Sequence, residues 1–460
     1  MMDRRQFLKN TGLITAFSGG DFSEIIHPIP QTMKNIKVIK TDSDFEREKL
    51  VRPFGFKGGY LSELWQVASK LESSSGHSKI GVATQSVLYG DADLFSSYSE
   101  AGGNALMYLV VNKALELIKE TPFTNPVSLL DTIFPELLVQ AEQITGRQDL
   151  NVNFIYNALV STDNAAWLLY AAENQFKNFD EMIPQNYKKG LSHRNDKVAI
   201  MYQIPYGMPM QEIKDAAKAG FFVFKIKTGY PGSQEVMLQN DMERLTEVHK
   251  ALKGLRTNQT KDGKLIYTMD ANARYERKET LMRYLDHAKK IGAYEHILFY
   301  EEPFTEHNEE NVSDVGIRIA ADESVHNEMD AIRRIEQGYG AMVLKGIAKT
   351  LSQSMKIANL AAERKIPCLC ADLTVNPILI DWNKNLTARL MPFPGIGMGF
   401  METNGDMNYR NWKNMLGYHP LSGASWTKAR NGVFELNDDY YKRSGGILEP
   451  SAHYNEMFNP

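Results

Sequence analysis

Phe224-Lys225-Ile226-Lys227 is an apolar run that closes on ionisable residues, and the same construction recurs four times downstream. The repeats are Tyr267-Thr268-Met269-Asp270, Phe299-Tyr300-Glu301-Glu302-Pro303, Ala320-Ala321-Asp322-Glu323-Ser324 and Met342-Val343-Leu344-Lys345. Working outward, short apolar runs read as strands over 198–204, 222–227, 265–270, 297–301, 318–322, 341–345, 367–372 and 397–402. Amphipathic segments between them read as helices over 210–219, 234–252, 278–291, 328–337 and 351–365. The gap at 307–315 is short and the one at 377–390 is less regular, while Gly220, Gly292 and Gly338 stand where helix C-terminal caps belong. Eight strands alternating with helices predict a closed parallel α/β barrel. An open doubly wound sheet fits less well, because no glycine-rich phosphate turn follows the first strand.

Side chains two apart on a strand share a face. Lys225 therefore points with Lys227, Thr268 with Asp270, Phe299 with Glu301, Ala320 with Asp322, Val343 with Lys345 and Cys370 with Asp372. Each strand turns its last polar group inward at its carboxyl end, where barrel active sites lie. Carboxylates converging there repel one another unless a cation sits between them. Asp270, Glu301 and Asp322 offer three hard oxygen ligands with no His or Cys nearby, a set suited to magnesium or manganese and wrong for zinc. Lysines beside such an ion lose basicity toward neutrality, the condition for a working base. Lys225 lies about 6–7 Å along the strand from Lys227 and adds positive charge to the same face. The pattern is that of metal-assisted proton abstraction.

Lys-x-Lys on the second strand, Asp on the third, Glu-x-Pro on the fourth, Ala-Asp-Glu-Ser on the fifth and Lys on the sixth together resemble the enolase superfamily. Within it they resemble the mandelate racemase/muconate-lactonizing enzyme family, in the branch that includes the dipeptide epimerases; the match spans 201–403. The resemblance implies a TIM-type (β/α) barrel, modified to seven or eight strands, with an α+β capping domain completed by the C-terminal segment. It implies magnesium, with manganese as the alternative, held by Asp270, Glu301 and Asp322, and a small-molecule substrate whose carboxylate binds that ion. The α-proton then leaves to give an enediolate, with Lys227 and Lys345 as acid/base on opposite faces and Lys225 as a third catalytic lysine.

Two opposed lysines suit racemisation or epimerisation, on a dipeptide or an N-substituted amino acid. The same equipment serves β-elimination or cycloisomerisation of a carboxylic or sugar acid, and a noncatalytic metal- or ligand-binding barrel is the reading from another class. The His–Asp dyad of the acid-sugar dehydratase branch is missing, and His326 reads as a loop residue. Asp372, Glu402 and Asn404 are expected to contact substrate; dipeptide epimerases carry an acid-x-acid pair at the last strand, and here Asn404 replaces the second acid. Register selects Glu301 over Glu302 as the ligand and leaves Glu302 and Glu323 facing outward or supporting. The family also implies a homo-oligomer.

The flanks divide the chain into 1–30, a capping domain over 31–195, the barrel over 196–404 and a C-terminal segment over 405–460 that packs on the cap. Within the cap, 36–40 reads as a strand and 105–118 and 129–144 as helices. Phe54, Phe56 and Lys57, in a glycine-rich stretch, are expected to form a specificity loop over the barrel mouth, with 85–91 as a second such segment. Asp3-Arg4-Arg5-Gln6-Phe7-Leu8-Lys9 resembles a twin-arginine export signal, which implies a periplasmic or exported protein, the alternative being cytoplasmic. A net charge of −4 without a basic tract argues against nucleic acid, and no apolar run reaches the roughly 18–20 residues that span a bilayer. Cys368 and Cys370, two apart on one strand, read as reduced core residues.

Overall fold

A computed structural model describes residues 33–56 and 59–459, so the twin-arginine-like stretch lies outside the described residues. The cap opens with three antiparallel strands, β1 (Val38–Phe56), β2 (Gly59–Ser73) and β3 (Ser78–Gln85), in that spatial order. Central β2 is buried along most of its length, whereas β1 is an edge that shows Asp42, Asp44, Arg47 and Lys49 to solvent. Charged edges resist further strand pairing. That charge also hides the strand from a hydrophobic reading: the expected strand at 36–40 is corrected to Val38–Phe56, and Ile36 only bridges to Phe123.

Of three helices, Ala92–Glu120, Pro126–Thr145 and Val152–Asn174, the first and third cover this sheet and the second packs on both of them. The third lies directly on β3. A Cβ at Gly81 would stand 2.2 Å from both Ser161 O and Ala165 N, so only glycine permits the approach. Asn157 and Asn164 donate from the helix to the carbonyls of Thr84 (3.0 Å) and Val82 (3.0 Å).

Eight parallel strands form the barrel: β4 (Lys197–Ile204), β5 (Val223–Lys227), β6 (Ile266–Asp270), β7 (Ile297–Glu301), β8 (Arg318–Ala321), β9 (Ala341–Leu344), β10 (Cys368–Cys370) and β11 (Gly399–Glu402). β11 returns to pair with β4, which closes the sheet. Helices Gln234–Leu252 and Lys278–Ile291 run over their expected bounds, the first capped by Ser233 and the second ended by left-handed Gly292. The segment expected to be less regular is a helix, Pro377–Thr387, begun by Asn376 and Pro377. It is buried on nearly all sides, so no polar face punctuates its sequence. Past the barrel, β12 (Val433–Glu435) pairs antiparallel with the first half of β4, at 197–199, the part that β5 leaves uncovered. The same C-terminal segment reaches the cap, through Asn411 to Glu48 (2.9 Å) and His453 to Glu46 (3.0 Å). No helix among the described residues is long and apolar enough to cross a membrane.

Inside the barrel, Phe299 and Phe400 meet edge to face at 6.2 Å, and Phe393 packs on both. This apolar layer lies two residues below Glu301 and Glu402 and floors the polar layer above. Cap and barrel are joined by a buried polar link: Ser352 donates its hydroxyl to Asp163 and its N–H at 3.1 Å, and accepts from Trp167 Nε1 at 3.0 Å. Burial pushes the Asp163 carboxyl up to about 7, against the opposing pull of the Ser352 donors. Folded protein thus holds this proton more tightly than unfolded chain, so stability falls as pH rises from about 4 to about 7 and levels off above. Asp163→Asn should flatten that segment of the stability–pH curve, as measured by denaturant unfolding across the range.

Candidate active site

Strand register alone brings the ionisable ends together. Lys227 pairs with Asp270 across β5 and β6, and Asp270 with Glu301 across β6 and β7. Lys225, one inward position lower, is 2% exposed and extends its ammonium into the acids: 2.8 Å to Glu301, 2.9 Å to Asp270 and 3.2 Å to Glu402. Lys227 donates to Asp270 (2.5 Å) and Asn272 (2.9 Å), and Asn272 in turn donates to Glu323 (3.0 Å). On the far wall Lys345 reaches Asp322 at 2.5 Å and lies 4.8 Å from the ring centre of Tyr89, which the cap supplies.

All of these residues except Glu301 line a small cavity of about 50 Å³ beneath Leu50, Phe54, Leu61 and Leu64 of the cap. Burial opposes charge on each of these groups, and the neighbours decide the outcome. Asp270 and Asp322 stay below the ordinary carboxylate range because, against burial, Lys225 and Lys227 hold the first and Lys345 and Lys349 the second. Glu301 is pushed well above it by burial and by Asp270, despite Lys225. Lys225 and Lys345 were expected to lose basicity; instead, against burial, the surrounding acids hold both well above the ordinary lysine value. The expectation assumed a cation among the acids, and here the ammonium groups neutralise them.

A divalent ion is tested by what the acids leave unspent. Glu301 Oε2 and Asp322 Oδ1 are buried and accept no hydrogen bond. The donor chemistry of Asp270, Glu301 and Asp322 fits a hard divalent cation. Among the described residues, no three acidic, His or Cys groups already surround one point, since Lys225 lies between Asp270 and Glu301 and Lys345 holds Asp322. Ion binding therefore requires those ammoniums to draw back.

The remaining expected residues divide. Asp372, Glu402 and Asn404 line the cavity, but Asp372 is occupied by the N–H groups of Asn404 (2.7 Å), Leu373 (2.8 Å) and Val375 (3.3 Å). Burial and Glu402 push its carboxyl up to about 7. Asn404 bonds to Gln203 (3.1 Å) and Thr374 (2.8 Å). Phe54 lines the cavity from the end of β1, so this stretch is the tip of a hairpin rather than a free loop; Lys57 and the Phe56 side chain lie outside the described residues. In the segment 85–91, Ser86 and Tyr89 line the cavity. Glu302 is buried beneath the site with φ 36° and accepts the Asp322 N–H at 2.5 Å, fixing the end of β8. Glu323 lines the cavity, where an outward orientation was one expectation. His326 bonds to Glu306 (2.7 Å) and Asn153 (3.1 Å) in the loop after β8.

Sequence reasoning missed Gln203, Asn272, Thr374 and Lys349. Lys349 is buried and donates to the carbonyls of Asp322 (2.6 Å) and Val325 (2.9 Å). The signal for Gln203 and Asn272 was present: one is the penultimate residue of the first barrel strand, and the other lies two residues past Asp270.

The molecule is thus a capped parallel barrel with an acid–lysine centre at the carboxyl ends of its strands. Residues 210–391 match the family model described as enolase C-terminal domain-like, and the cap-and-barrel fold is that of the enolase superfamily. A dipeptide epimerase from Cytophaga hutchinsonii, solved with Mg and the dipeptide D-Ala-L-Val, has a TM-score of 0.60 at 17% identity over 89% of this chain and 98% of that one. The L-Ala-D/L-Glu epimerase from Bacillus subtilis gives 0.57 at 16% identity over 81% and 91%. A mandelate racemase/muconate lactonizing protein from Herpetosiphon aurantiacus gives 0.60 at 15% over 87% and 96%. No protein of curated function matches the chain in sequence.

Lys225 is the cation on which three buried acids depend. Lys225→Met should cost about 3–5 kcal/mol at neutral pH, the scale for breaking a buried ion pair. The deficit should shrink as pH falls toward about 4 and the stranded carboxylates take up protons. Denaturant unfolding at both pH values measures it.

Proposed function

We propose that this protein is a racemase or epimerase that moves a proton α to a carboxylate, with an amino-acid derivative such as a dipeptide or N-substituted amino acid as substrate. The observation that carries the reading is the spacing of its lysines around the barrel. β5 and β9 are four positions apart in a ring of eight strands, so Lys227 and Lys345 approach one cavity from opposite walls. An α-carbon between them has one face toward each ammonium. One lysine, once unprotonated, removes the proton; the other returns a proton to the opposite face. Asn272, fixed by Glu323, holds the Lys227 nitrogen in place. Lys225 contributes fixed positive charge beside the carboxylate that gains electron density. Asp270, Glu301 and Asp322 would hold magnesium, which when bound supplies positive charge to that same carboxylate and eases loss of a weakly acidic proton. Leu50, Leu61 and Leu64 exclude water from above, which strengthens each of these interactions.

A second reading, β-elimination or cycloisomerisation, draws on the Lys345–Asp322 contact: a lysine held protonated serves as a fixed charge or acid rather than as a base. Incubation in deuterium oxide with magnesium and a panel of dipeptides, N-acylated amino acids and acid sugars distinguishes the two. Racemisation or epimerisation should introduce α-deuterium with inversion and no other mass change, whereas dehydration loses water. Lys227→Ala and Lys345→Ala should each lower turnover by about 10²–10⁴-fold, while each retains exchange from only one configuration of substrate. Absence of α-exchange across the whole panel defeats the proposal.

A further inference from the structure

A second, larger space adjoins the catalytic cavity. It measures about 530 Å³ and lies between the β1–β2 hairpin and the loops that follow β4, β5 and β6. Phe54, Gln203, Lys227 and Asn272 line both spaces, so they form the throat where the inner cavity adjoins the outer cleft. The two differ sharply in charge. Asp270, Asp322, Glu323, Asp372 and Glu402 face the inner cavity together with three lysines. Among the described residues, the outer lining contains Arg52, Arg274 and the shared Lys227 and no acidic residue.

Two donors in this cleft are unspent. Among the described residues, no carboxylate lies within ion-pair distance of Arg274, whereas Arg52 has only an exposed contact with Glu212 at 3.8 Å. The Tyr206 hydroxyl is buried and has no hydrogen-bond partner; burial and the charges of Asp241 and Asp270 hold its proton on, against the smaller opposing pull of Arg274. Arg274 is also held in position. Its N–H bonds to Ala271 O (3.1 Å), its carbonyl accepts from Gln234 (3.0 Å), and its Cβ and Cγ occupy the place that a side chain at Gly229 would need, 2.8 Å from an ideal Cβ. A half-buried guanidinium on a clamped backbone, without a protein partner, is preorganised for an anion.

We propose that the outer cleft binds a second anionic group at the far end of the substrate, with Arg274 as the principal contact and Tyr206 as a supporting donor. This rests on the reading of the inner cavity as the place of the reacting carboxylate. It narrows the substrate class to acids that carry another anion, a carboxylate or a phosphate, on a chain long enough to pass Lys227 and Asn272.

The test is calorimetric binding to the full chain with magnesium present, independent of turnover. Straight-chain α,ω-dicarboxylates of increasing length are compared with monocarboxylates of equal length, and with ω-phosphono acids to separate the two anions. Dicarboxylates or phosphono acids should bind at least roughly tenfold tighter, about 1.4 kcal/mol, at one preferred length. Arg274→Gln should erase that preference, Arg274→Lys should restore part of it, and Tyr206→Phe, which removes one oxygen, should weaken it several-fold. Equal binding of mono- and dianions at every length, or a preference that survives Arg274→Gln, overturns the proposal. A dianion preference alongside a failed deuterium-exchange panel would leave the anion subsite standing and remove the catalytic reading instead.

Discussion

Everything at the centre of this barrel depends on balancing negative charge that parallel strands bring into one place. Asp270 and Glu301 are adjacent in the ladder, Asp322 directly follows the next strand, and Glu402 approaches from the closing strand. Burial of each costs several kcal/mol unless a cation meets it. Lys225 is the device that makes the arrangement tolerable, since a single buried ammonium serves three carboxylates from three different strands. It cannot serve them completely. Glu301 stays elevated, and Glu301 and Asp322 each keep one buried oxygen without a donor. Buried carboxylate oxygens without a donor are a standing attraction for a hard cation.

That demand explains the supporting structure. Glu302 has the strained φ of 36° and uses its carboxylate to hold the Asp322 N–H, and Lys349 holds the Asp322 carbonyl from the other side. The end of β8 is therefore fixed by two buried side chains of opposite charge, neither of which faces the cavity. Asn272 does the same for Lys227. The cap adds Tyr89 against Lys345 and a leucine roof, so the site is complete only when both parts of the chain are in place.

Much of this was legible because barrel strands announce themselves twice, by an apolar run and by a polar residue at its end. The bounds of Gln234–Leu252 and Lys278–Ile291 were readable because Ser233 and Gly292 mark them with local hydrogen-bond chemistry. What escaped did so for one of two reasons. Val152–Asn174 and Pro377–Thr387 are buried almost all round, so neither has the alternation that identifies a surface helix. β1 has the opposite defect: its exposed charges conceal an edge strand. Which strand ends converge was evident from register, but the lysine basicities were not. They depend on whether acids or a metal ion are nearest, and spacing along a chain does not reveal that. Asp372 shows the same limit, since three backbone N–H groups from loops around two strand ends occupy it.

The division of charge between the two cavities follows from the same constraint. The inner chamber commits its cations to its own acids and to one anionic end of a ligand, so a second anionic end settles best where another cation meets it. Arg274 meets that condition at the edge of the loop that begins with Asp270, four residues further along. One segment, 270–274, thus contributes an acid to the inner centre, an amide that steadies Lys227 at the throat, and a cation to the outer cleft. Displacement of that loop would disturb all three at once, which ties recognition of the far end to the geometry of the reacting end.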